Sequence, residues 1–258
     1  MNKIALITGA TSGIGLELAK LFARDKINLL IVARNESHLK EIKQEVENQY
    51  HINVYYVAAD LSISDSLQVI NNYVENNNLQ VDYLVNNAGF GDFGKFTERR
   101  IEKYREMISL NINALVELTH FYARKMQEQK NGKILNLCSL MSLQPFPEWT
   151  VYAATKAFVL SFTEALYKEF ENTGITITAL LPGATQTNFF NKADGTNSKA
   201  TDIIMSPKEV AAAGYEAMMK GKRRVIAGSY NKFSGFMMQI IPTCRFKLNL
   251  AAKVTGRK

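Results

Sequence analysis

The chain has 258 residues, 47% of them hydrophobic and 21% charged, a size and balance that suit one large α/β domain or two small ones with a full core. Two cysteines, Cys138 and Cys244, exclude a disulfide framework and metal-ligand spacing, and three scattered histidines (His38, His51, His120) offer no metal site. The net charge of +7 is uneven: ten Lys/Arg and no Asp or Glu follow from Lys220 onward, so +10 in the tail leaves −3 for the rest, and with the charge confined to one tail nucleic-acid binding is not expected.

No run of about 18 apolar residues is present, so no transmembrane helix is expected. The N-terminal "MNKIALITGA" runs straight into an apolar strand without a small-residue cleavage site, which argues against a signal peptide and for a reducing, cytoplasmic location.

In chain order, apolar runs predict strands at 3–8, 28–34, 54–60, 81–87, 133–139, 175–181 and 223–228. Such runs, without alternation, suit strands buried on both faces. Helical patterns lie between them, among them 14–25, 36–49 and 64–77, the last with Ser64 as its N-cap. Long helices are read at about 101–128 and 152–172. Strict alternation predicts a single-domain, Rossmann-type doubly wound fold, an α/β architecture with a parallel sheet of about seven strands flanked by helices. Residues 1–230 are assigned to this body, a polar stretch at 188–206 has the length of an active-site lid, and 231–258 form a basic, apolar tail.

The first strand ends in "TGATSGIG", with Gly9, Gly13 and Gly15 where strand passes into helix. There, main-chain N–H groups approach a pyrophosphate and the helix N-terminus adds partial positive charge. The spacing G-x-x-x-G-x-G differs from the common G-x-G-x-x-G, but the strand–turn–helix context is the required one. At the end of the second strand, where dinucleotide folds often carry an acid, stand Ala33 and Arg34. A guanidinium pairs with a 2′-phosphate that a carboxylate repels, so Arg34 points to NADP(H). Asp60 ends the third strand, where a carboxylate can accept from an adenine amino group.

"VYAATKAF" (151–158) places Tyr152 and Lys156 one helical turn apart on one face. A tyrosine with a pKa near 10 shuttles protons poorly at neutral pH, and an adjacent ammonium favours the phenolate. With "NNAG" (86–89), Asn111, Ser139 and "PGATQT" (182–187), the set resembles the classical short-chain dehydrogenase/reductase family, in its NADP(H)-preferring branch, over about residues 3–228.

The resemblance implies an oxidoreductase transferring a hydride between NADP(H) and a carbonyl or secondary alcohol. It implies Tyr152 as general acid/base, and Lys156 as the group that lowers its pKa and holds the nicotinamide ribose. Ser139 would bond the substrate oxygen, and Asn111 would hold a water for the proton path. Cofactor contacts would come from Gly9, Ser12, Gly13, Ile14, Gly15, Arg34, Asp60, Leu61, Asn87, Ala88 and Gly89, together with Tyr152, Lys156, Pro182, Gly183, Thr185 and Thr187. Relatives of this kind pair long helices into homodimers or homotetramers.

Two features depart from the family. Met141–Ser142 replaces a small Ala–Gly pair on the substrate side, and the tail is longer and more basic. Phe90, Phe93, Phe146 and Phe190, with Ser139, Met141, Trp149 and Phe189 as the substrate set, predict an apolar pocket for a neutral, bulky ketone, aldehyde or alcohol. The tail is open to three readings: cover for the substrate cleft, a subunit contact or, less favoured, an interfacial helix at a membrane surface. The alternative function is a non-catalytic NADP(H)-binding regulator on the same fold, against which the intact Asn–Ser–Tyr–Lys set counts.

Overall fold

The computed structural model describes residues 3–187, 189, 193, 204–240 and 244–254. The expected lid lies outside them except at Phe189, Ala193 and 204–206, and so do Phe190 and, in the tail, residues 241–243 and 255–258.

Seven parallel strands form one sheet in the order β3-β2-β1-β4-β5-β6-β7. They are β1 (Ile4–Thr8), β2 (Asn28–Ala33), β3 (Val54–Ala58), β4 (Val81–Asn86), β5 (Gly132–Leu137), β6 (Ile175–Leu181) and β7 (Arg224–Ile226). The central strands β1 and β4 are buried throughout, as their unbroken apolar runs require. The edge strands differ from that expectation: Tyr55, Tyr56 and Ala58 of β3 are partly or fully exposed, and β7 is only half-buried. Each lacks a neighbour on one side, so its apolar residues meet solvent at the rim.

On one face lie α1 (Gly13–Arg24), α2 (Glu36–Tyr50) and α7 (Pro207–Met219), which bring Leu18, Phe22, Leu39, Val46, Val210 and Tyr215 into one core. The other face carries α3 (Ser66–Asn76), α5 (Leu115–Gln129) and α6 (Thr150–Glu169). Before α5 come α4 (Ile101–Ile108) and a π-helical stretch, Ser109–Ala114, so the single long helix expected at 101–128 is interrupted. α3 begins two residues later than expected. Asp65, not Ser64, occupies its N-cap position, and the Ser64 hydroxyl bonds the Asp65 carboxylate instead. By contrast, α2 is capped by Asn35, which accepts from His38 N–H at 3.0 Å.

A buried polar ladder ties the second helical layer to the sheet. Asn86 of β4 donates to Thr119 of α5 and to Asn136 of β5, both at 2.9 Å, and Asn136 donates to Thr163 of α6 at 3.0 Å. A buried network of this kind fixes register, because slippage would break its bonds inside the core. It therefore sets the height of α6 against the sheet. The tail forms α8 (Ser229–Ile240) and α9 (Cys244–Val254). Among the described residues no helix is long and apolar enough to cross a membrane, and no cluster of metal-ligating residues occurs.

Candidate active site

The sheet order reverses between β1 and β4, and open α/β sheets bind ligands at the strand carboxyl ends there. The glycine turn opens at that point. Gly9 (φ 65°) and Gly13 (φ 57°) hold left-handed conformations that side chains disfavour. A Cβ on Gly15 would run into Asn87 and the Gly9 carbonyl, so Gly15 is what lets α1 start against the sheet. Ser12 sits extended at the head of α1 with no cap bond from its side chain, leaving its hydroxyl at the mouth. Ile14 behind it is buried in the core.

Asn87 is committed locally: its amide donates to the carbonyls of Thr8 (2.9 Å) and Gly9 (3.0 Å). The N–H groups of Asn87 and Ala88 both donate to the Thr8 hydroxyl at 3.0 Å. "NNAG" is thus pinned to the end of β1. Arg34 is 75% exposed at the end of β2, with Nη1 3.9 Å from Asp60 at the end of β3. Burial by itself would raise the Asp60 carboxyl, but two bonds from Ser62 and the Arg34 charge outweigh it and hold it below the ordinary value. Leu61 is buried beneath.

The catalytic candidates converge from three elements. Ser139, just after β5, stands at the N-cap of the 3-10 turn Leu140–Leu143, where its Oγ accepts from Met141 N–H at 3.2 Å. Tyr152 of α6 is 7% exposed, and the Ser139 side chain beside it favours the charged form of its phenol. Lys156 is buried, with Nζ 6.0 Å from the centre of the Tyr152 ring and donating to the Leu137 carbonyl at 2.7 Å. Asn111, in the π-helical stretch, accepts from Phe90 N–H and donates to the Phe90 carbonyl and to the Thr155 hydroxyl. A Cβ on Gly89 would come 2.9 Å from Asn111 Oδ1 and 3.5 Å from Lys156 Nζ, which shows how closely the main chain passes these two groups.

The pKa pattern differs from the sequence expectation. Burial pushes the Tyr152 phenol up to about 12 against the opposing influence of Ser139, and burial pulls the Lys156 ammonium down to about 8. Desolvation disfavours the charged form of both groups. The lysine, turned towards Leu137, does not overcome it.

After β6, the Pro182 carbonyl accepts from Leu140 N–H at 2.8 Å, joining the last turn to the serine turn. Thr185 bonds the Gly183 carbonyl (3.0 Å) and bridges to Met205. Thr187 reaches across to the first turn, where its methyl would lie 2.9 Å from a Cβ on Gly13.

Residues 3–198 match the family model of the short chain dehydrogenases. The chain belongs to this family. Among its relatives, a 7beta-hydroxysteroid dehydrogenase of Mediterraneibacter gnavus is 30% identical over 232 residues, which is 89% of this chain and 87% of that one. A solved structure from work on 7beta-hydroxysteroid dehydrogenase stereoselectivity superposes with a TM-score of 0.87 at 26% identity, over 97% of this chain and 96% of the other. A short-chain dehydrogenase from Sphingobium yanoikuyae in complex with NADPH gives 0.82 at 28% identity, over 93% and 97%.

The side that the sequence assigns to substrate is aromatic. Phe90, Phe93, Met141, Phe146, Trp149 and Phe189 gather in one cluster with Tyr152. Trp149 lies parallel to Phe189 at 6.1 Å and edge-on to Tyr152 at 5.6 Å. Gly91 makes room for all three: a Cβ there would meet Phe189 at 2.7 Å, Trp149 at 2.9 Å and Tyr152 at 3.2 Å. Of the departing pair, only Met141 joins this cluster. Ser142 is turned inward, accepting from Ser139 N–H at 3.1 Å, so it positions the serine and does not line the pocket.

Several contributors escaped the sequence reading. Asp92, its side chain fully buried, pairs with Arg99 through two bonds and with Lys103 at 2.6 Å. Next to it, Phe93 N–H donates to the Ala193 carbonyl and Gly94 N–H to Glu148. One loop is thereby tied to α4, to the lid region and to the stretch before α6. From the tail, Asn231 is packed against Gly183, and Met238 and Ala251 join the aromatic cluster. An acid followed by a base at seven residues was the available signal for Asp92–Arg99; the tail contacts gave none.

The residues present fit a phosphorylated dinucleotide. The two left-handed glycines and the Gly89 passage leave main chain open to a ligand, and Arg34 supplies an exposed cation beyond them.

Proposed function

We propose that the protein reduces a neutral, bulky ketone or aldehyde, or oxidises the matching secondary alcohol, with NADP(H). The observation that carries this reading is the burial of Ser139, Tyr152 and Lys156 together, with Lys156 Nζ 6.0 Å from the Tyr152 ring and Tyr152 on a wall shared with the aromatic cluster. When bound, NADPH supplies the hydride for the carbonyl carbon. Tyr152 gives its proton to the carbonyl oxygen as charge develops there, and Ser139 donates a second bond to that oxygen. Lys156 and Asn111 line the path by which Tyr152 is reprotonated. Gly9, Ser12, Gly13 and Gly15 receive the pyrophosphate, Arg34 the 2′-phosphate, Asp60 the adenine, and Thr187 the carboxamide.

NADPH in a 28%-identical relative and a hydroxysteroid substrate class in a 30%-identical one support the cofactor and the bulk of the substrate. The regulator reading has no support, since all four polar groups are kept and gathered. The proposal extends to a cytoplasmic homodimer or homotetramer. Low cysteine content favours the compartment, and exposed Phe158, stacked on Phe162 along α6, favours the subunit contact.

The test is loss of reduced-nicotinamide absorbance over a panel of bulky ketones, with NADPH and NADH side by side. Turnover should prefer NADPH and fall about 10²–10⁴-fold in Tyr152→Phe while NADPH binding persists. Tight NADPH binding without turnover on any ketone would overturn the reaction.

A further inference from the structure

Helix α8 is apolar on two opposite sides. Its inner side seats Asn231, Gly235 and Met238 against β7, the serine turn and the aromatic cluster. Its outer side exposes Tyr230, Phe233, Phe236, Met237 and Ile240 to solvent, with Phe233 64% and Phe236 59% accessible. Positions 230, 233, 237 and 240 follow helical spacing, so these side chains form one continuous stripe, widened by Phe236. On α9, Phe246 and Leu248 are also exposed. A helix that has already buried one face gains nothing in folding from a second one, and a large exposed apolar stripe marks an interaction surface.

The charges around the stripe select the partner. Lys232, Arg245 and Lys247 stand on these two helices, and no acidic residue occurs from Lys220 to the end of the chain. We propose that the outer face of α8 docks on an anionic lipid surface, its aromatic and aliphatic side chains entering the headgroup boundary and the cations of the tail facing lipid phosphates. Apolar insertion combined with basic flanks is the pattern of interfacial helices, each cation adding to the attraction. A second copy of this chain is the weaker match. A two-fold contact through the same face would set cations against cations with no acid between them. The docking does not rest on the reaction proposed above.

The experiment is flotation of the full-length protein with vesicles of phosphatidylcholine alone and of phosphatidylcholine mixed with phosphatidylglycerol. The protein should float with the mixed vesicles at low salt, be released at high salt and stay unbound with the neutral ones. Replacing both exposed rings (Phe233→Glu, Phe236→Glu) should lower partitioning about tenfold or more. Its melting temperature and its vesicle-free turnover should be unchanged. Lys232→Glu, a milder change, should weaken binding to mixed vesicles. Absence of flotation at low salt overturns the proposal. So does flotation indifferent to these substitutions, or light scattering that shows the stripe consumed in a dimer which the double variant dissolves.

Discussion

At the glycine turn the side chains are small and the main chain lies open; around Trp149 aromatic rings pack together and form the surface beside Tyr152. Gly9, Gly13, Gly15 and Gly89 leave space where a single Cβ would meet a neighbour, and Asn87 holds the turn with bonds to Thr8 and Gly9. That geometry suits a ligand whose shape is constant. On the other side, Phe93, Trp149 and Phe189 form a wall whose outline depends on side-chain size, over a loop braced by Asp92. A glycine turn cannot be altered without losing the backbone path. An aromatic wall can be recut with the catalytic pair untouched, which is how one scaffold serves many ketones.

The largest blow to this division comes from Trp149→Ala. Deleting a fully buried indole costs about 3–5 kcal/mol, read as a lower melting temperature. If the halves are separate, relative rates across the ketone panel change while the NADPH dissociation constant does not. A changed cofactor affinity with an unchanged rate profile would break the comparison.

Asp92→Asn comes next. It removes the charge that Arg99 and Lys103 share, and should cost about 1–3 kcal/mol, between buried and exposed pairs, because both cations keep some solvent contact. Burial would raise this carboxyl, but Arg99 and Lys103 outweigh it and hold it below its ordinary value. Its stabilisation is therefore complete above the unfolded value of about 3.9 and is lost as the pH falls through the lower folded one. Acid unfolding followed by circular dichroism should show a shallower acid limb in the variant. KM for bulky ketones should rise more than kcat falls, since the loop loses its brace and Tyr152 keeps its partner.

Arg34→Ala is the smallest and the most local. An exposed guanidinium is worth about tenfold to a phosphate, so the NADPH-over-NADH ratio in kcat/KM should fall by about that factor. The substrate profile should stay as it was.

How much of this was legible follows from how local each feature is. The glycine turn, Asn111, Ser139 and the Tyr152–Lys156 spacing lie in short segments whose chemistry needs those residue types at those intervals, and the structure gathers them at one strand end. The aromatics were legible as a composition, and Met141, Phe146 and Trp149 indeed share one cluster. Ser142 was misjudged because a serine's side reads only from its bond, here to the Ser139 amide. Ser64 was misjudged because a cap depends on where the first turn closes, and it closes at Ser66.

By itself, the sequence determined the strand–helix alternation, the glycine turn at the end of β1 and the spacing of the candidate side chains Tyr152 and Lys156, because apolar periodicity and glycine placement act over a few residues. Only the tertiary structure decided that burial outweighs the influence of Ser139 at the Tyr152 phenol, that Asp92 braces the loop after β4, and that α8 turns one face inward and leaves an apolar one bare. Desolvation, ion pairing across elements and exposure are properties of what packs against a residue, and that is set by the whole fold.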